Sequence, residues 1–183
     1  MATGCKSVTL SNIDGRCDTS TGGIKRILIS NRDDVTALIG TTTNEFELIT
    51  EIKNATGKAF SEWKFRKNTG SYTSTVESDP AIGNMSVTTE CTLQFSRAEA
   101  EKRMAIQSAL NADSVVIIED MYGQYLYLGY ENEVTVTAAT MVSGTTTSDL
   151  SGFTITFQDL STELPHFVDS EKVDVDGLLT AGA

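Results

Sequence analysis

The chain has 183 residues, 39% of them hydrophobic, and a formal net charge of −11. That length and apolar share suffice for one domain with a real core, and no apolar run approaches the roughly 18 residues that a membrane-spanning helix needs. The charge is segregated: residues 1–80 hold ten Lys/Arg and ten Asp/Glu, residues 81–183 hold four and fifteen, and between Arg103 and Lys172 there are ten acids and no base. A surface built that way repels a phosphate backbone instead of neutralising it.

Met1 to Gly23 is rich in Ser, Thr, Gly, Asn and Asp and reads as a polar arm that gains order through contact. Met1–Leu10 holds one Lys and no apolar block, which predicts no secretory signal. Cys5, Cys17 and Cys91 are odd in number and lack metal-type spacing, as expected of unpaired thiols in a reducing cytosol. Ile24–Ser30 is the first strand, and Asn31–Asp34 interrupts it as a turn. Asp34–Ile39 fits either a short helical turn or a short strand. Phe46, Leu48 and Ile52 alternate with Glu45, Glu47, Glu51 and Lys53, the pattern of a half-exposed strand. Asn54–Gly57 is a turn, and Ala59–Arg66 resumes alternation around Phe60, Trp63 and Phe65.

Lys67–Gly83 is nearly free of apolar residues. It is basic at its base (Lys64, Arg66, Lys67) and acidic at its far side (Glu77, Asp79). Two readings stand: a disordered connection, or a projecting hairpin, which the Thr, Ser, Tyr and Val content suits.

Asn84 onward alternates cleanly, with Met85, Val87, Cys91, Leu93 and Phe95 on one parity and Ser86, Thr88, Glu90, Thr92 and Gln94 on the other. Ser96-x-x-Glu99 reads as a capping box opening a helix over about 97–111. Glu99 and Arg103 stand one turn apart, and Ala98, Ala105, Ile106, Ala109 and Leu110 form a narrow apolar stripe. Ser114–Ile118 has the apolar run of a central strand, Tyr122-Gly123 turns, and Tyr125–Leu128 follows. Glu133–Val142 alternates, with Val134, Val136, Ala138 and Val142 on the buried side. Ser143–Asp149 is a polar turn, and Phe153, Ile155 and Phe157 mark an antiparallel-type strand. Leu164–Val168 closes the ordered part, and Asp169–Ala183 reads as an acidic, loosely held tail. The expected architecture is mainly β: one antiparallel sandwich or barrel over residues 24–168, with a single flanking helix and an arm at about 64–83.

Little in the chain carries chemistry. His166 is the one histidine, and no Gly-x-Ser-x-Gly elbow accompanies it. Gly57-Lys58 lacks the rest of a phosphate loop. Asp174-Val-Asp-Gly177 resembles part of a calcium loop, yet position 172 is Lys where that pattern needs Asp. Asp33-Asp34 and Glu119-Asp120 are adjacent pairs, and neighbours in a strand point to opposite faces. No enzyme, cofactor or metal site is expected.

The order of elements, together with the phrases Gly70-Ser-Tyr-Thr-Ser-Thr75, Tyr125-Leu-Tyr-Leu-Gly129 and Phe153-Thr-Ile-Thr-Phe-Gln-Asp-Leu-Ser-Thr-Glu-Leu-Pro165, resembles the tail tube proteins of bacteriophages. The likeness is greatest to those from phages of gut anaerobes. It covers roughly residues 20–168 and rests on layout and non-catalytic phrases. It implies a β-sandwich or barrel with a flanking helix, in rings, usually hexameric, that stack around a channel for the genome. The same fold builds inner tubes of injection machines and rings at tail joints. The implied partners are further copies of the chain and other tail or joint proteins, with DNA as passing, unbound cargo and no membrane. The implied location is the virion tail, assembled in the host cytoplasm. No catalytic residues carry over.

Within that reading Glu131 and Glu133 are the first candidates to line a channel, placed on a strand face with Thr135 and Thr137, and Glu119, Asp120 and Asp149 come next. Lys64, Arg66, Lys67, Tyr72, Glu77 and Asp79 are candidates for an arm that contacts a neighbouring subunit. The competing class is a virion decoration or carbohydrate-binding sandwich using Trp63, Tyr72, Tyr125 or Tyr127. A hydrolase built on His166 is a third.

Overall fold

Alternating strands fill most of the computed structural model, which describes residues 21–41, 47–79, 83–146 and 149–180. In chain order the elements are β1 (Ile24–Asn31), β2 (Val35–Thr41), β3 (Glu47–Asn54), β4 (Ser61–Lys64), β5 (Gly70–Asp79), β6 (Asn84–Ser96), α1 (Ala100–Ala109), β7 (Ser114–Asp120), β8 (Tyr125–Leu128), β9 (Thr135–Val142), β10 (Gly152–Ser161) and β11 (His166–Phe167). They form a five-stranded sheet ordered β11-β8-β7-β1-β4, a four-stranded sheet ordered β5-β6-β10-β9, and the hairpin β2-β3. Among the described residues the pairings between these strands are antiparallel, one isolated bridge, Ile49↔Val168, is parallel, and the sheets stay open. The mainly β, one-helix fold read from the sequence is the fold observed, as a layered sandwich and not a barrel.

The five-stranded sheet is covered on both faces. On one side Ile27, Ile29, Val116, Ile118 and Leu128 pack with Leu93, Phe95, Ile155 and Phe157 of the four-stranded sheet, with Trp63 edge-on to Phe95. On the other side Leu28, Val115, Ile117 and Tyr127 pack with Ile49, Ile52 and Phe60. Double coverage is why β7 reads as a continuous apolar run: Ser114 to Glu119 are all buried. Phe60 and Trp63 stand at opposite parity at β4 and so enter different cores.

Several expectations need correction. Asp34–Ile39 resolves into a short 3₁₀ turn, Arg32–Asp34, followed by β2. In β3 the pairing slips between Leu38↔Glu51 and Ile39↔Ile49, leaving Thr50 unpaired as a bulge. The bulge brings Ile49 and Ile52, three apart, onto the same core face, which strict alternation assigns to opposite faces. The described part of the tail, residues 169–180, is packed, not loose: Val173, Val175 and Leu178 are buried in the second core. Its backbone is tied in as well, since Leu178 O accepts from the Phe60 N–H and from Asn54 Nδ2, both at 3.0 Å. The helix is shorter than 97–111, and Ser96 does not cap it. Ser96 is the last residue of β6, opposite Gly152, and the chain leaves the sheet through Arg97 at φ 67°. Glu99 takes the N-cap position without a side-chain cap bond, and its carboxylate pairs with Lys102 at 2.9 Å, not with Arg103. Of the expected stripe only Ile106 and Ala109 are buried; Ala98, Ala105 and Leu110 are exposed. Cys91 is a buried thiol whose pKa burial pushes up to about 12, so it is inert as a nucleophile. The polar arm over 1–20, Cys5, Cys17, Glu45, Phe46 and the hairpin tip at 80–82 lie outside the described residues.

The corner between β6 and β10 admits only glycine. Gly152 sits at φ 158°, and a Cβ there would lie 1.9 Å from the Phe95 carbonyl oxygen and 3.1 Å from the Arg97 nitrogen. Both are backbone atoms, and the strand pairing and the Arg97 N–H to Ser151 O bond of 2.6 Å hold them in place. Gly152→Ala is expected to cost about 3 kcal/mol through backbone strain. Urea unfolding measures it, and a loss below about 0.5 kcal/mol, the range of ordinary surface changes, would contradict this account.

Candidate functional site: the open face of the four-stranded sheet

β6 has the alternation of a strand with one wet face. Val87, Thr89, Cys91, Leu93 and Phe95 are buried, and Ser86, Thr88, Glu90, Thr92 and Gln94 point the other way. Residues directly opposite in an antiparallel ladder share a face, so the register extends this surface across all four strands. One row is Ser71, Thr92, Thr156, Ala138; the next is Thr73, Glu90, Gln158, Thr135; Thr75, Thr88 and Leu160 make a third, and Gln94, Thr154 and Thr140 a fourth. The rows are hydrogen-bonded across strands, with Thr92 Oγ1 3.1 Å from Thr156 Oγ1 and Gln158 Nε2 donating to Glu90 Oε1 at 3.2 Å. Among the described residues of these rows there is no Lys or Arg. Hydroxyls and amides dominate, with Glu90 the acid and Ala138 and Leu160 the exposed apolar exceptions.

Both edges of this sheet end in long strands. β5 pairs with β6 along its whole length, Gly70↔Leu93 to Asp79↔Asn84, so the arm is an ordered β-hairpin. Its near half belongs to the body: Tyr72 packs on the first core, and a Cβ on Gly70 would meet the Phe65 ring at 2.6 Å. Its far half is exposed from Thr75 onward, and Val76 and Met85 are 46% and 48% exposed. β9 departs from the expected burial. Val134 and Val136 are buried or half-buried, but Ala138, Met141 and Val142 are exposed, Met141 to 66%. Ala139 and Met141 oppose the buried Ile155 and Phe153 and lie on the core side of the sheet, yet nothing in the described chain covers them.

The five acids proposed for a channel do not converge. Glu119 is 2% exposed on β7, ion-paired with Lys25 and Arg26, and cannot face a lumen. Asp120 folds onto its own turn, Oδ1 accepting from the Tyr122 and Gln124 N–H groups at 2.8 and 2.9 Å. Asp149 does the same for Thr145 and Thr146, each backbone bond 2.8 Å, and those donors hold its carboxyl well below the usual carboxylate range. Glu131 and Glu133 are exposed but precede β9 and are not on its face with Thr135 and Thr137. Glu131 accepts from the Thr162 N–H at 2.6 Å and the Thr162 hydroxyl at 2.7 Å, which lowers its pKa.

Of the arm candidates, Lys64 ends β4 and pairs with Glu62 at 2.8 Å, while Arg66 and Lys67 are exposed in the β4–β5 turn. Glu77 and Asp79 are exposed towards the hairpin tip. Trp63 and Tyr72 are half-buried against the first core, and Tyr127 is buried in the second, so they form no exposed stacking platform. His166 lies edge-on to Tyr130, centroids 5.6 Å apart, with its Nε2 3.7 Å from a Glu163 carboxylate oxygen. Glu90 was legible as a wet-face residue; its place in a cation-free surface depends on pairings between segments sixty residues apart. No protein-family model, curated protein or solved structure matches this chain.

Proposed function

We propose that the chain is a structural ring subunit of a phage tail tube, its open sheet face forming the wall of a channel for DNA. The observation that carries this reading is the pairing of a polar, cation-free sheet face with two long free edges, β5 and β9. Such edges invite another strand, and two different edges on one subunit make a head-to-tail contact that closes into a ring. Four strands supply about 19 Å of circumference per subunit at about 4.8 Å per strand. Six copies, the number the family resemblance implies, give a backbone circle roughly 37 Å across before tilt. With about 5 Å of side chain on each wall the bore is roughly 27 Å, wide enough for a duplex.

The reading requires the exposed far half of the hairpin to contact a neighbour. Deleting the whole of Asn68–Asp79 would strip Tyr72 from the core, so the clean test is Val76→Glu with Met85→Glu. Both side chains are half exposed, and the double variant should keep its stability within about 1 kcal/mol. Wild type should form rings or tubes in negative-stain images and native mass spectra, and the variant should remain a folded monomer. A wild-type protein that stays monomeric at high concentration, or a variant that assembles equally well, would refute the proposal.

A further inference from the structure

Asp159 continues the inward parity of Phe153, Ile155 and Phe157 on β10, so a carboxyl group stands where the pattern calls for an apolar side chain. It is 3% exposed. Its Oδ2 accepts one long bond from the Gly129 N–H at 3.4 Å, and its Oδ1 has no partner. Directly across the ladder is Thr89, fully buried, whose hydroxyl is shared with Ser74 at 2.8 Å. Two charged groups act on the site from the elements around it. Arg32 is occupied by the carbonyls of Gly129, Tyr130 and Glu131 at 2.9, 3.1 and 2.8 Å, and Glu131 is occupied by Thr162. Neither neutralises Asp159 by direct contact. Gly129 follows β8 of one sheet and Asp159 belongs to the other, and Asn132 Nδ2 ties the same connection to Leu160 O at 2.7 Å. The group therefore sits at the joint between the two sheets.

We propose that Asp159 is a proton-operated lock on this joint: protonated, it is sealed in the core; ionised, it releases its proton to solvent and draws water in against the 129–134 connection. An ionised carboxylate buried with an unpaired oxygen is costly, whereas the neutral acid can donate to the Thr89 hydroxyl within cross-strand reach. Burial is the chief influence raising the Asp159 pKa; the Glu131 charge adds to it, while the Gly129 N–H and Arg32 oppose it. The sign follows from linkage. An acid whose folded pKa lies above its unfolded value of about 3.9 contributes stability that is complete below that value and lost as pH rises through the folded one. Asp34, Glu62 and Glu99, whose pKa values are lowered by their partners, act in the opposite direction and cancel in a comparison with Asp159→Asn, whereas Glu131, also lowered, is coupled to Asp159 and does not cancel fully.

The test uses the full chain. The ratio of wild-type to Asp159→Asn unfolding constants should climb with pH by up to about tenfold per unit, then level off once Asp159 is ionised in the folded state. Carbon-detected NMR of the wild-type Asp159 carboxyl should give a midpoint above the ordinary aspartate value of about 3.9, and amide exchange at Glu131–Glu133, normalised for intrinsic chemistry, should accelerate with that same midpoint. A carboxyl midpoint at or below about 4, a flat ratio, or exchange indifferent to the titration would each overturn the proposal. If Asp159→Asn does not fold, the two wild-type midpoints decide it by coinciding or not.

Discussion

Replacing Arg26 by Ala is expected to destabilise the protein by about 3 kcal/mol, the lower end of the range for breaking a buried ion pair. Arg26 is the hub of a network at the end of β1. Its Nε faces Glu119, Nη1 bonds Glu62 at 2.8 Å, and Nη2 bonds Asp176 at 2.7 Å. The Arg26 and Glu119 side chains are 13% and 3% exposed. Removing the guanidinium leaves Glu119 with Lys25 alone, and Lys25 is 60% exposed. The hydrogen bond that Arg26 donates to Glu62 raises the Arg26 pKa and lowers that of Glu62. A depressed carboxylate contributes stability present above its unfolded pKa, about 4.3 for Glu, and lost as pH falls through the folded value. The deficit of Arg26→Ala should thus be largest near neutrality and shrink below about pH 4. Arg26→Met with Glu119→Met should recover most of it, because an apolar pair of similar volume removes both buried charges together. Urea titrations of wild type and both variants at pH 3.5 and pH 7 read the losses; equal losses at both pH values would show that packing, not charge, sets the cost.

Asp176 connects that network to the one large region whose packing was not legible. Residues 169–176 are rich in acids, and composition alone reads them as solvated. The three apolar side chains, Val173, Val175 and Leu178, are spaced two and three apart, too few and too irregular for a helix or strand pattern. They are buried because a face of the five-stranded sheet is otherwise uncovered, which becomes visible only once β1, β7 and β8 are side by side. By contrast β6 and β10 were legible to within a residue or two at most ends, since each has one core face and unbroken alternation. The β3 bulge at Thr50 and the β9 bulge, where Thr156↔Ala138 gives way to Phe157↔Val136, break alternation without any Gly or Pro to mark them.

The acids misled for a related reason. Their excess after Arg103 is real, but four of the five singled out are used within the fold, by the buried pair at Glu119, by turn N–H groups at Asp120 and Asp149, and by Thr162 at Glu131. The Asp120-Met-Tyr-Gly123 sequence carries the signal of an Asx turn, a short polar side chain accepting from the backbone two residues on. What the residues placed on the candidate site was its lack of cations, and that property lies on the Thr, Ser and Gln positions of β5, β6 and β10.

Introducing cations on that face should therefore have a larger effect than introducing them at the acids of the connecting loops. Glu90 and Gln94 are both exposed on β6, an inner strand of the four-stranded sheet. Glu90→Lys with Gln94→Lys leaves the core parity and the free edges untouched, and assembly should proceed as in wild type. If the face lines a DNA channel, two lysines per subunit repeated around a ring convert a sliding surface into a binding one. Six to ten phosphate contacts per ring would weaken DNA retention by about a thousandfold or more between 50 and 200 mM salt. Genome release from assembled particles should stall at the lower salt and recover at the higher. Glu133→Lys is the matched control, because Glu133 is exposed in the connection before β9 and outside the rows of this face; it should leave release unchanged. Wild-type release by the double variant at every salt would exclude this face as the lumen, and equal slowing by Glu133→Lys would return the channel wall to the loop acids.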